Sequence, residues 1–180
     1  MPFFYLVLFG LFYCFVPAAA QEKNPRILEI KSMYAEVNKL NSASAAKSCK
    51  NARKTEYSGF SPESEQMPFE QTAKRCKLAN GYEYIEGKFR GYEWSEDYFF
   101  YLRNGSVFFV FVQSSAEACS DETRVYYDTS GRIIRLLEKT NDCIGEREPF
   151  RSREQTNEDA KKQMLLRVND SYEKALNMLK

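Results

Sequence analysis

Between Tyr98 and Val112 the chain is two apolar runs separated by one polar pair, Asn104-Gly105. That pair between alternating apolar residues is the strongest short-range hairpin signal. A two-residue turn there predicts that Leu102 pairs with Val107, Phe100 with Phe109 and Tyr98 with Phe111 on one face. Tyr101 with Phe108 and Phe99 with Val110 occupy the other. Both faces are apolar, so both need cover, one from helices and the other from further chain or a ligand. A second hairpin follows, Arg124 to Glu138, around Asp128-Thr-Ser-Gly131.

The flanking pattern has a different period. Ile27, Ile30, Tyr34, Val37 and Leu40 recur at steps of three or four, which predicts a helix over 25–40. Asn24 is its N-cap and Pro25 its first residue. Asn41-Ser-Ala-Ser-Ala-Ala reads as a weak stop, or as a loop into a second helical turn ending near Lys54. Lys47, Lys50, Arg53 and Lys54 would lie on one side of that turn, and a solvated face explains them better than an anion site. Glu56 to Phe69 reads as an exposed loop, Gln71 to Leu78 as a strand and Asn80-Gly81 as a turn. A short hairpin is expected around Glu86-Gly87-Lys88. Aromatic and polar residues then alternate from Gly91 to Asp97. A Tyr before a Gly turn recurs at Tyr84, Tyr101 and Tyr127, which common hairpin chemistry explains. Asn141 to Arg153 reads as a linker. Met164, Leu165, Val168, Tyr172, Ala175, Leu176 and Leu179 form the stripe of a final helix capped by Thr156 or Asn157.

The expected fold is therefore α+β: an antiparallel meander of about five or six strands, with an N-terminal and a C-terminal helix packed on it. A small β-barrel with flanking helices is the second choice.

Met1 to Ala20 carries no charge, is apolar from Phe3 to Val16 and ends in Pro17-Ala-Ala-Ala. It reads as a signal peptide cleaved before Gln21, too short to be a membrane span, leaving residues 21–180 as one domain. Phe12-Tyr13 before Cys14 argues against a lipidated cysteine. Cys49, Cys76, Cys119 and Cys143 remain, and an even number in an exported chain implies two disulfides with three possible connectivities. Cys119 and Cys143 flank the second hairpin almost symmetrically, which favours Cys119–Cys143 and Cys49–Cys76. Their wide spacing, without Cys-x-x-Cys, argues against zinc. The net charge of +1 argues against nucleic acid as a partner.

There is no His in the chain, which excludes Ser-His-Asp and Cys-His catalysis and His-ligated metals. No phosphate loop or nucleophile elbow occurs, and no cofactor is expected. Glu93, Glu96 and Asp97 lie beside Tyr92 and Trp94, the pairing of acids and aromatics that a glycosidase uses. Polar positions at strand ends and a turn explain them more simply. The aromatic density suits core packing, while Tyr82, Tyr84, Tyr92, Trp94 and Tyr101 are the candidates for a binding platform, since ring and hydroxyl tolerate a wet surface. Asn104-Gly-Ser106 and Asn169-Asp-Ser171 are glycosylation sequons, relevant only in a glycosylating host.

Ile30-Lys-Ser-Met-Tyr-Ala-Glu-Val-Asn38 and the two hairpins resemble exported bacterial proteins of no assigned activity. The resemblance covers about a quarter of the chain after the leader. It implies export and a compact α+β domain, and no site. The expected function is binding of a protein, peptide or glycan, in the periplasm or outside the cell. A carbohydrate hydrolase and an inhibitor of a secreted enzyme are the alternatives.

Overall fold

The computed structural model describes residues 22–43, 48–58, 67–116, 119–140 and 151–180. The leader, Lys47, Cys143 and most of the expected linker lie outside them. Among the described residues eight strands form one antiparallel sheet whose order is the order of the chain: β1 (Ser48–Ser58), β2 (Met67–Lys77), β3 (Tyr82–Arg90), β4 (Trp94–Arg103), β5 (Ser106–Ala116), β6 (Cys119–Tyr127), β7 (Ile133–Thr140) and β8 (Arg151–Glu154). Two helices, α1 (Pro25–Ser42) and α2 (Glu158–Met178), cover opposite faces. The meander is thus as expected in kind and longer than the five or six strands read from the pattern. It is an open sheet with β1 and β8 at its ends, not a barrel.

Both helices start where their caps place them. Asn24 Oδ1 accepts from the N–H groups of Arg26 and Ile27 at 2.9 and 3.4 Å. Asn157 Oδ1 accepts from Asp159 and Ala160 at 2.8 and 3.4 Å, and Glu158 and Asp159 sit at the positive end of the α2 dipole. α1 buries Ile27, Ile30, Met33 and Val37 against an aromatic layer of Tyr82, Tyr84, Tyr101, Phe108, Phe109 and Tyr126. α2 buries Met164, Val168 and Ala175 over Ile85, Phe89, Tyr98, Phe100, Val110 and Val112. The second apolar face of the hairpin is therefore covered by chain.

The hairpin register departs from the simple two-residue reading. Leu102 does oppose Val107, but a β-bulge follows, so Tyr101 opposes Phe109, Phe100 opposes Val110, Phe99 opposes Phe111 and Tyr98 opposes Val112. Phe108 is the extra residue. Since the side-chain period is two, one inserted residue exchanges the faces of everything beyond it. Phe108 and Phe109 both reach the α1 layer, while Val110 and Val112 turn toward α2.

Two further expectations are corrected. The segment ending at Lys54 is no helical turn: β1 pairs with β2 over its whole length, and Cys49 faces Cys76 directly. Strand pairing overrides the helical propensity of its Ala, Lys and Arg residues. Nor does a hairpin form at Glu86-Gly87-Lys88. β3 runs straight through, and Gly87 is buried under α2, where an added Cβ would meet Ala175 Cβ at 3.2 Å. That glycine serves the close approach of a helix. The turn between β3 and β4 lies at 91–93, closed by Gly91 N–H donating to the Trp94 carbonyl at 2.9 Å. β8 occupies part of the expected linker and pairs with β7.

The β6–β7 turn is organised by one carboxylate. Asp128 Oδ1 accepts from Ser130 Oγ at 2.6 Å, Ser130 N at 2.8 Å and Arg132 N at 2.9 Å, and Oδ2 accepts from Arg132 Nε at 3.0 Å. These bonds, the Ser130 hydroxyl first, hold its pKa well below the usual carboxylate range. A depressed folded-state pKa contributes stability that is fully present above the unfolded value, about 3.9, and is lost as pH falls toward the folded one. Asp128→Asn is therefore expected to be less stable than the parent at neutral pH and to converge with it in strong acid. Denaturation across that range checks this, and a gap unchanged by acid would refute it.

Candidate ligand-binding surface

The structure divides the predicted platform into two groups. Tyr82, Tyr84 and Tyr101 are buried beneath α1. Tyr34 of α1 packs on Tyr101 and Phe109 at centroid distances of 4.9 and 5.2 Å, and Tyr84 lies 5.4 Å from Tyr101. Tyr84 Oη donates to Glu86 Oε2 at 3.0 Å. Burial raises the pKa of Tyr84 and Tyr101, because their phenolate forms would lose hydration. These three rings build the core.

Tyr92 and Trp94 stand apart, 70% and 43% exposed. The structure adds two partners to them. Tyr57 of β1 is 64% exposed, and Phe69 of β2 lies with its ring centroid 5.7 Å from that of Trp94. With Thr55, Glu56, Pro68, Gly91 and Glu93 they line an open depression of about 1010 Å³ at one end of the sheet. Phe69 also packs against the α2-side core, so one ring ties the depression to the interior. Gly91 lets the indole lie back on the turn, since a Cβ there would collide with Trp94 Nε1. Tyr57 and Phe69 were placed in a loop by pattern reading. The signal that finds them is pairing: once Cys49 is set opposite Cys76, Glu56 falls opposite Phe69 and Tyr57 opposite Pro68.

The three candidate acids do not converge. Glu93 is in the β3–β4 turn, exposed, and makes no ion pair among the described residues. Glu96 turns toward α2, where Oε2 accepts from Tyr98 Oη at 2.8 Å and Oε1 from Arg167 at 2.6 Å. Arg167 Nε also donates to Tyr98 Oη at 2.8 Å. Burial pushes the Tyr98 hydroxyl up to about 12 despite the guanidinium. Asp97, next along the strand, points to the opposite face and pairs with Arg90 at 2.6 Å. Glu96 and Asp97 thus act as struts, one fastening α2 to β4 and the other β4 to β3.

Cys49 and Cys76 form a disulfide. Cys119 is also disulfide-bonded, and its expected partner Cys143 lies outside the described residues. No group of three or more His, Cys, Asp or Glu side chains capable of holding a metal gathers among the described residues. No helix among them is long and apolar enough to cross a membrane.

The fold and surface together define an α+β protein with a chain-ordered antiparallel sheet between two helices and an open aromatic depression at one end. Compared with protein-family models, curated proteins and solved structures, the chain matches none of them.

Proposed function

We propose that the protein is a non-catalytic binding protein of an oxidising, exported compartment, and that it takes a glycan across Tyr57, Phe69, Tyr92 and Trp94. The carrying observation is clustering. Five large hydrophobic side chains are exposed among the described residues, and three of them, Tyr57, Tyr92 and Trp94, share one depression. Scattered exposed apolar residues need no explanation, but a contiguous aromatic patch rimmed by polar groups does. Flat rings with polar tips suit the apolar faces and hydroxyls of a sugar, and Glu93 offers a free acceptor at the rim. The disulfide supports export, as such bonds persist in oxidising compartments. The hydrolase reading lacks the facing carboxylate pair that its chemistry requires, because Glu96 and Asp97 lie on opposite faces in ion pairs.

Trp94 is the single tryptophan, so its emission reports directly on this surface. Titration with a panel of oligosaccharides is expected to give saturable changes with at least one. Tyr57→Ala and Tyr92→Ala should each weaken that ligand by roughly fivefold, the equivalent of about 1 kcal/mol per lost ring contact. A panel with no effect on Trp94 emission, or folded variants that bind equally well, would discard the site.

A further inference from the structure

A second cavity shares no lining residue with the aromatic depression. The β4–β5 turn at Asn104-Gly105 and the β6–β7 turn at 128–131 stand together, with α1 on one side and α2 on the other. Between them is a cleft of about 750 Å³, within the range of small-molecule sites. Its rim is polar, and its partly exposed apolar wall is formed by Val107 of the sheet and by Leu165 and Tyr172 of α2.

Of the four charged residues lining this cleft, Arg26, Glu29, Arg103 and Asp128, only Arg103 has no ion pair among the described residues. Arg26 is held by Glu29 at 2.7 Å and donates Nε to the Tyr127 carbonyl at 3.3 Å. Asp128 is occupied by its own turn and by Arg132. Arg103 has no carboxylate partner among the described residues. Its guanidinium lies over the Tyr82 ring at 5.5 Å and reaches only the Met33 sulfur, at 3.8 Å. Thioether and ring are weak partners, so most of its five N–H donors stay available. An exposed guanidinium without a carboxylate partner therefore stands at the rim of the cleft. Tyr127, which also lines the cleft, is 4% exposed, and its hydroxyl is buried with no hydrogen-bond partner among the described residues. Such a hydroxyl is costly to leave unpaired.

We propose that this cleft binds a single-tailed anionic amphiphile, its carboxylate or phosphate head on Arg103 and its apolar tail along Val107, Leu165 and Tyr172. A planar guanidinium fork matches either head group, and the walls match an aliphatic chain. The site is separate from the aromatic depression and does not depend on how that depression is used.

Calorimetry of the folded protein with decanoate, decyl phosphate and 1-decanol tests the assignment, with amide shifts at Asn104, Gly131 and Asn169 locating the ligand. At least one of the two anions is expected to bind saturably, tenfold or more tighter than the alcohol, and the tighter one identifies the head group. Arg103→Gln should remove that tenfold preference and leave alcohol binding unchanged, while Arg103→Lys should restore part of it. Absence of binding by either anion, shifts confined to Tyr92 and Trp94, or an Arg103→Gln protein that keeps its preference would overturn the proposal.

Discussion

Phe100→Ala is expected to destabilise the protein by about 3–5 kcal/mol, the cost typical of emptying a buried aromatic site. Phe100 is fully buried at the centre of β4, opposed by Ile85 on one neighbour and Val110 on the other. The Tyr172 ring of α2 meets it edge-on at 5.0 Å, and the Tyr98 ring stacks beside it at 6.1 Å. The ring thus fills the junction of three strands and a helix. Collapse is hindered because Tyr98 is fastened through its hydroxyl to Glu96 and Arg167. Equilibrium urea denaturation measures the loss. Phe99→Ala, on the half-buried α1 side of the same strand, should cost clearly less. Equal costs, or a loss at Phe100 below about 1 kcal/mol, would mean that α2 does not seat on this ring as described.

Replacing Cys49 and Cys76 together by Ser is expected to cost about 3–4 kcal/mol, since the bond closes a loop with a sequence separation of 27. The loss should be local before it is global. β1 is an edge strand with one neighbour, and most of its described side chains are exposed or half-buried, so little apolar burial holds it. Without the bridge, amides of 48–58 should exchange rapidly while those of β3 to β6 stay protected. Uniform protection in the double variant would show that backbone pairing alone secures the edge. Since Tyr57 stands on β1, the same variant should also lose glycan-dependent Trp94 emission under the proposed function.

Much of the fold was legible because local chemistry and tertiary packing agree over those stretches. Asn24 and Asn157 cap where the pattern starts, and Asn104-Gly105 turns where the two apolar runs meet. The failures have separate causes. The Phe108 bulge is invisible to periodicity, because an unbroken run of apolar residues has no face to lose. β1 looks helical residue by residue, and only its partner makes it a strand. Gly87 mimics a turn glycine, while its real constraint, Ala175, lies 88 residues downstream, from 87 to 175. At the candidate site the same division holds. Tyr92 and Trp94 could be picked from their alternation with Glu93 and Ser95. Tyr82, Tyr84 and Tyr101 have the same chemistry, and nothing local says that α1 lies over them. Tyr57 and Phe69 enter the site through strand pairing alone.

The chain-ordered sheet also sets a timetable for synthesis. Each strand pairs with the one made just before it, so loop closure is short at every step and the sheet can grow as the chain emerges. α1 precedes the strands and meets β3 and β5, so its side of the sheet can close early. α2 is made after every strand, yet it covers Tyr98, Phe100, Val110 and Val112. Until it arrives, the nascent sheet shows that whole apolar face to its surroundings. A pause in translation before 158 would hold the protein in its most adhesive form, and a holding chaperone would find its binding surface there.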